Sequence, residues 1–87
     1  MIHVVIPATL RDFCAGASKL EVTGANVEQV LRALDERCPG FYGRVVAEGR
    51  LRPELAFAIN GEVYPLALHN VIEDGTEIAI VPALGGG

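Results

Sequence analysis

Basic charge is scarce in this chain. Seven lysines and arginines stand against eleven aspartates and glutamates, a net charge of −4, and Lys19 is the sole lysine. Nucleic-acid binders neutralise phosphates with cations, so a pI of about 5.0 argues against a nucleic-acid partner. Arg44, Arg50 and Arg52 gather loosely in a loop-like stretch and read as solvated surface. Cysteine is nearly absent. Cys14 and Cys38 are too few for a disulfide scaffold and form no C-x-x-C pair. Cys38 continues a helical apolar stripe and reads as a buried thiol. Cys14 precedes Ala15-Gly16 in an expected turn, where its reactivity stays open. His3 and His69 share no ligand spacing with each other or with the cysteines, so no metal is expected. No apolar run approaches the ~20 residues of a membrane span. The opening Met1-Ile2-His3-Val4-Val5-Ile6-Pro7 is too short for a signal peptide and lacks a basic start. A cytoplasmic chain without a membrane partner is the expectation.

What is present suits one small globular domain. The chain has 87 residues, 51% of them hydrophobic and 21% charged. At this length only about 60–65% of the unfolded surface is buried on folding. Little room is left for a cofactor pocket of ~300–1,000 Å³. A self-contained enzyme with a bound cofactor is therefore not expected. The glycines are oddly placed: three of the ten are the last three residues, Gly85, Gly86 and Gly87.

Hydrophobic periodicity outlines the elements. Residues 2–6 alternate, with Ile2, Val4 and Ile6 on one face. Residues 8–18 carry a turn around Ala15-Gly16-Ala17, and 19–23 alternate again with Leu20 and Val22 inward. Asn26 is a good N-cap with Gln29 three residues on. Val27, Val30, Leu31, Leu34 and Cys38 then form one apolar stripe, and Pro39-Gly40 stops the helix. Phe41, Val45 and Val46 suggest a short helical turn, broken by Gly49 and Pro53. Residues 55–59 form a strand, Asn60-Gly61 a hairpin turn, and 62–64 a short return strand. Asp74-Gly75 marks a turn, 76–81 the last strand, and residues 83–87 are left as a tail. One helix must cover one face of one sheet.

This order, with Asn60-Gly61-Glu62, Asp74-Gly75, Glu77-Ile78-Ala79-Ile80-Val81-Pro82 and the closing Gly86-Gly87, resembles the MoaD/ThiS family of ubiquitin-like sulfur carriers. The opening Val5-Ile6-Pro7-Ala8-Thr9-Leu10-Arg11 also looks like the CysO subgroup. The resemblance implies an α+β, β-grasp fold: a mixed sheet of four to five strands covered by one main helix, over a single domain 1–87 with its tail at 83–87. It implies a site with no catalytic side chain. In the family an adenylyltransferase of the MoeB/ThiF kind uses ATP to convert the terminal carboxylate, here on Gly87, to an acyl-adenylate. A sulfur donor then displaces AMP and leaves a thiocarboxylate. Gly85 and Gly86 give the tail access, because residues without Cβ can thread a narrow channel. Ordering them costs ~1–2 kcal/mol each, which docking of the folded body must offset. Many members carry a small or polar residue other than glycine at the position of Gly85.

The outer sheet face is the expected docking surface. Where an exposed antiparallel face is usually polar, Val5, Ala56, Ala58, Ala79 and Val81 are small and apolar, joined to the tail through Pro82 and Leu84. Sulfur acceptors implied by the resemblance are a molybdopterin synthase large subunit or a cysteine synthase. Three other roles fit the same residues: the small subunit of a molybdopterin synthase, a ubiquitin-like modifier joined to lysines, or an interaction module with an inert tail.

Overall fold

The computed structural model describes residues 1–64 and 66–82, Pro82 by its backbone alone. The elements are β1 (Ile2–Val5), a 3₁₀ segment (Ala8–Cys14), β2 (Lys19–Val22), α1 (Val27–Arg37) and α2 (Phe41–Val45). They continue with β3 (Val46–Ala47), β4 (Arg50–Leu51), β5 (Leu55–Ile59), β6 (Glu62–Tyr64) and β7 (Glu77–Pro82). The main sheet has five strands in the order β2-β1-β7-β5-β6, and β3 and β4 form a separate small hairpin. β1 and β7 run parallel; the other pairs of the main sheet are antiparallel. The sheet is therefore mixed, and α1 covers one face of it.

Alternation places the core. Ile2, Val4, Ile6, Phe57, Ile78 and Ile80 are buried on the helix side, with Ile59 partly buried at their margin. The stripe Val27, Val30, Leu31, Leu34 and Cys38 meets them, none of its members more than 1% exposed. α1 begins where the capping residues dictate. Asn26 Oδ1 accepts the Gln29 N–H at 2.8 Å, and Gln29 Oε1 accepts the Ala25 N–H at 2.8 Å. The reciprocal bond thus closes one residue ahead of the cap, where a capping box would use the cap's own N–H. Two further N-terminal donors, Val27 N–H and Glu28 N–H, reach the carbonyls of Asn70 and Leu68 at 3.0 and 2.9 Å. These bonds tie the helix start to the loop before β7.

The expected turn at Asn60-Gly61 is present, with φ of 49° and 91°, the left-handed pair a tight hairpin needs. Two features depart from the expected order. The stretch before β2 winds into the 3₁₀ segment, ended by Ala15 at φ 54°. The breaker at Gly49 is the turn of the β3–β4 hairpin, where Glu48 and Gly49 both adopt positive φ.

The cysteines require a correction. Cys38 is buried as expected but not as a free thiol: it forms a disulfide with Cys14, their Cα atoms 4.7 Å apart across 24 residues of sequence. The 3₁₀ segment carries Cys14 over the C-terminal cap of α1, a proximity that separate helical and turn readings of the two residues did not contain.

Candidate functional site

β7 delivers the tail. It lies between β1 and β5, so the strand that leads into residues 83–87 is paired on both sides. Val5 faces Ala79 across one ladder; Ala56 faces Val81 and Leu55 faces Pro82 across the other. Leu84, Gly85, Gly86 and Gly87, which the sequence marks as tail and reactive end, lie outside the described residues, as does the side chain of Pro82.

Strand register sorts the outer face into zones, since directly paired residues project to the same side. One row crosses the sheet as Lys19, Val5, Ala79, Ala58 and Val63. The next row toward the tail holds Val81 and Ala56. On the other side lie Glu21, His3 and Glu77. There His3 Nδ1 is 3.4 Å from Glu21 Oε1, and Lys19 Nζ is 3.5 Å from Glu77 Oε2. The face is thus charged away from the tail and apolar next to it.

Val5, Ala56, Ala79 and Val81 are half-buried on this face, as a contact surface requires. Ala58 needs correction: at 8% exposure its methyl sits low between Ala79 and Val63 and offers little to a partner. Val63 is the residue missed. It is 66% exposed opposite Ala58, and the Asn60-Gly61 turn was the signal that would have registered it there.

Beside this face a shallow groove of about 370 Å³ runs along β5, lined by Leu51, Arg52, Leu55, Ala56, Val63 and Tyr64. Arg52 is more than solvated surface. Its Nη2 donates to the Gly43 carbonyl at 3.1 Å and its Nη1 lies 3.5 Å from Glu54 Oε1. Its Nε is buried without a partner among the described residues.

The most connected polar cluster serves the helices instead. Tyr42 Oη lies 2.9 and 2.7 Å from the two Glu28 carboxylate oxygens, and Arg32 Nε donates to Glu28 Oε1 at 2.8 Å. The Arg32 guanidinium stacks 3.9 Å from the Tyr42 ring centre. The Tyr42 hydroxyl, then Arg32, holds the Glu28 carboxyl below its ordinary value, and Glu28 in turn raises the Tyr42 phenol. This cluster fastens α2 to α1. Among the described residues no three His, Cys, Asp or Glu side chains gather as metal ligands, and no helix is long and apolar enough to cross a membrane.

Comparison with known proteins agrees with this geometry. The model of the ThiS family matches residues 4–87. Small archaeal modifier protein 3 of Haloferax volcanii is 32% identical over 65 residues, covering 72% of this chain and 71% of that protein. A chain from the Amycolatopsis orientalis BexX/CysO complex superposes with a TM-score of 0.89 at 29% identity, covering all of both chains. Mycobacterium tuberculosis CysO superposes with a TM-score of 0.87 at 25% identity over 95% of this chain and 99% of its own. The fold is a β-grasp, and the chain belongs to the ThiS family, among ubiquitin-like sulfur carriers and small protein modifiers.

Proposed function

We propose that this protein is a sulfur carrier that acts as a co-substrate of other enzymes, binding no cofactor itself. Its reactive group is the carboxylate of Gly87. A carboxylate is a poor electrophile because its leaving group would be an oxide. A partner adenylyltransferase of the MoeB/ThiF kind therefore spends ATP to form the acyl-adenylate, with pyrophosphate released. A sulfur donor attacks the carbonyl carbon and expels AMP. The resulting thiocarboxylate passes its sulfur to an acceptor enzyme, such as a molybdopterin synthase large subunit or a cysteine synthase.

One observation carries this reading: Gly85-Gly86-Gly87 follows β7, the doubly paired central strand, beside an apolar zone formed by Val5, Ala56, Ala79 and Val81. That zone supplies body docking, and the glycines admit the end to a partner's channel. The likeness to a chain of the BexX/CysO complex supports a partner enzyme docking here.

A second reading rests on the 32% identity to a small archaeal modifier: the same adenylate is captured by a lysine amine as an isopeptide. Intact-mass measurement after incubation with ATP, an adenylyltransferase and a sulfur donor separates the two. Replacement of one terminal oxygen by sulfur is the expected result. Lysine-linked adducts would establish the modifier, and an unchanged mass would leave an interaction module with an inert tail.

A further inference from the structure

The Cys14–Cys38 pair has no part in the carrier chemistry, and it stands apart from the outer sheet face. Cys14 ends the 3₁₀ segment and Cys38 caps α1, so their bond fastens the segment to the helical layer. Little else of the backbone does. Among the described residues, the backbone hydrogen bonds along this stretch are local: Leu10 N–H to Pro7, Gly16 N–H to Arg11, and Ala17 N–H to Cys14, with Ile6 N–H reaching Ser18. The remaining hold comes from side chains: Leu10 is buried, the Phe13 ring lies against Gly40 with the Arg44 guanidinium 5.3 Å from its centre, and Arg11 Nε donates to the Ile6 carbonyl at 3.0 Å. A short 3₁₀ stretch with local bonds is the kind of unit that opens without the sheet.

The two sulfurs differ in setting. Cys38 is fully buried beneath the core, its N–H bonded to Leu34 and its carbonyl accepting from Phe41. Cys14 is also buried, at 6% exposure, but it borders the exposed turn Ala15-Gly16, and nothing lies within 4 Å of where a Gly16 Cβ would be. Of the two sulfurs, Cys14 is the one that an outward movement of the 3₁₀ segment would uncover.

We propose that Cys14–Cys38 is a thiol–disulfide exchange site whose substrate is a dithiol reductant, entered at Cys14. A reductant thiolate attacks Cys14 Sγ, forming a mixed disulfide and expelling the Cys38 thiolate. The reductant's second thiolate then attacks its own sulfur in that bond and expels the Cys14 thiolate. The reductant leaves as a disulfide, and both protein sulfurs take up a proton. Two electrons pass to the protein. The reduced chain keeps its sheet but loses the clasp on the 3₁₀ segment.

The test uses the full chain equilibrated with oxidised glutathione. Its intact mass is expected to be lighter by two hydrogen atoms, with no uptake of iodoacetamide. Dithiothreitol under native conditions then exposes two alkylatable thiols. On reduction residues 8–17 are expected to lose their protection against hydrogen exchange, while β1 and β7 exchange faster only as far as the whole chain loses stability and stay protected. Excess glutathione on the oxidised wild type maps the mixed disulfide to Cys14, a measurement that depends on no variant folding. Free thiols surviving equilibration, reduction only in urea that unfolds the sheet, uniform change in exchange, or adducts at Cys38 would each overturn the proposal. None of these outcomes bears on the terminal carboxylate, so the carrier reading stands or falls separately.

Discussion

Tyr42 shows how one side chain can couple stability to pH. Its hydroxyl lies against both oxygens of Glu28, and its N–H donates to Asp35 Oδ1 at 2.9 Å. Tyr42→Phe keeps the ring under Arg32 but removes the hydroxyl, and about 1 kcal/mol of stability is expected to go with it at neutral pH. Folding lowers the Glu28 pKa, so its contribution is complete above the unfolded value of about 4.3. It is lost as pH falls through the folded value. Urea titrations should therefore show wild type and Tyr42→Phe diverging near pH 7 and converging in acid. On the proposed carrier reading, Gly86 bears on chemistry instead of stability. Gly86→Val is expected to slow thiocarboxylate formation at least about tenfold with no change in Tm, because a β-branched residue narrows the accessible backbone. An unchanged rate would count against the threading of the tail through a partner's channel.

At the scale of elements, α1 and β7 make opposite demands. α1 needs close approach at its start: a Cβ on Gly24 would lie 2.8 Å from Val30 N and 2.9 Å from Val30 Cγ2. Gly24→Ala is expected to cost ~1–3 kcal/mol, read from the denaturation midpoint. β7 must hold two faces apart. Ile80 is buried inward, whereas Val81 faces outward beside Ala56. Val81→Asp is expected to weaken adenylyltransferase binding about tenfold or more, measured by titration calorimetry, with the Tm kept within a few degrees. Unaltered affinity would remove the apolar zone from the docking surface. The elements that were legible in sequence share a trait: each has a period or a named turn residue. The α1 stripe, the alternation of β1 and β7, and Asn60-Gly61 are of this kind. The β3–β4 hairpin lacks it, since Glu48 takes positive φ where Asn or Asp is the usual signal. The 3₁₀ segment lacks it too, as seven residues make too short a pattern for a period to show. For the outer face, alternation was enough to place Val5, Ala56, Ala79 and Val81. The low seat of Ala58 and the exposure of Val63 depend on neighbouring strands that no single strand's pattern reports.

At the scale of the whole molecule, a thin core makes one covalent clasp matter. Closing 24 residues of separation removes chain entropy from the unfolded state worth ~3 kcal/mol. For a domain this small that corresponds to a Tm lower by roughly 10–20 °C in the Cys14→Ser/Cys38→Ser double variant. Scanning calorimetry on the oxidised wild type and that variant checks it; equal Tm values would show that the clasp adds nothing global.

The placement of β7 has a mechanical side. Tension applied to the tail along the strand loads the β1 ladder at His3–Val5 and the β5 ladder at Leu55–Ile59 together and in shear. Bonds sheared in parallel must fail as a group, unlike those of an edge strand peeled away one at a time. A machine that grips the chain by this end pulls against both ladders at once, so the end that the proposed carrier role would offer to partners is a poor handle for unravelling.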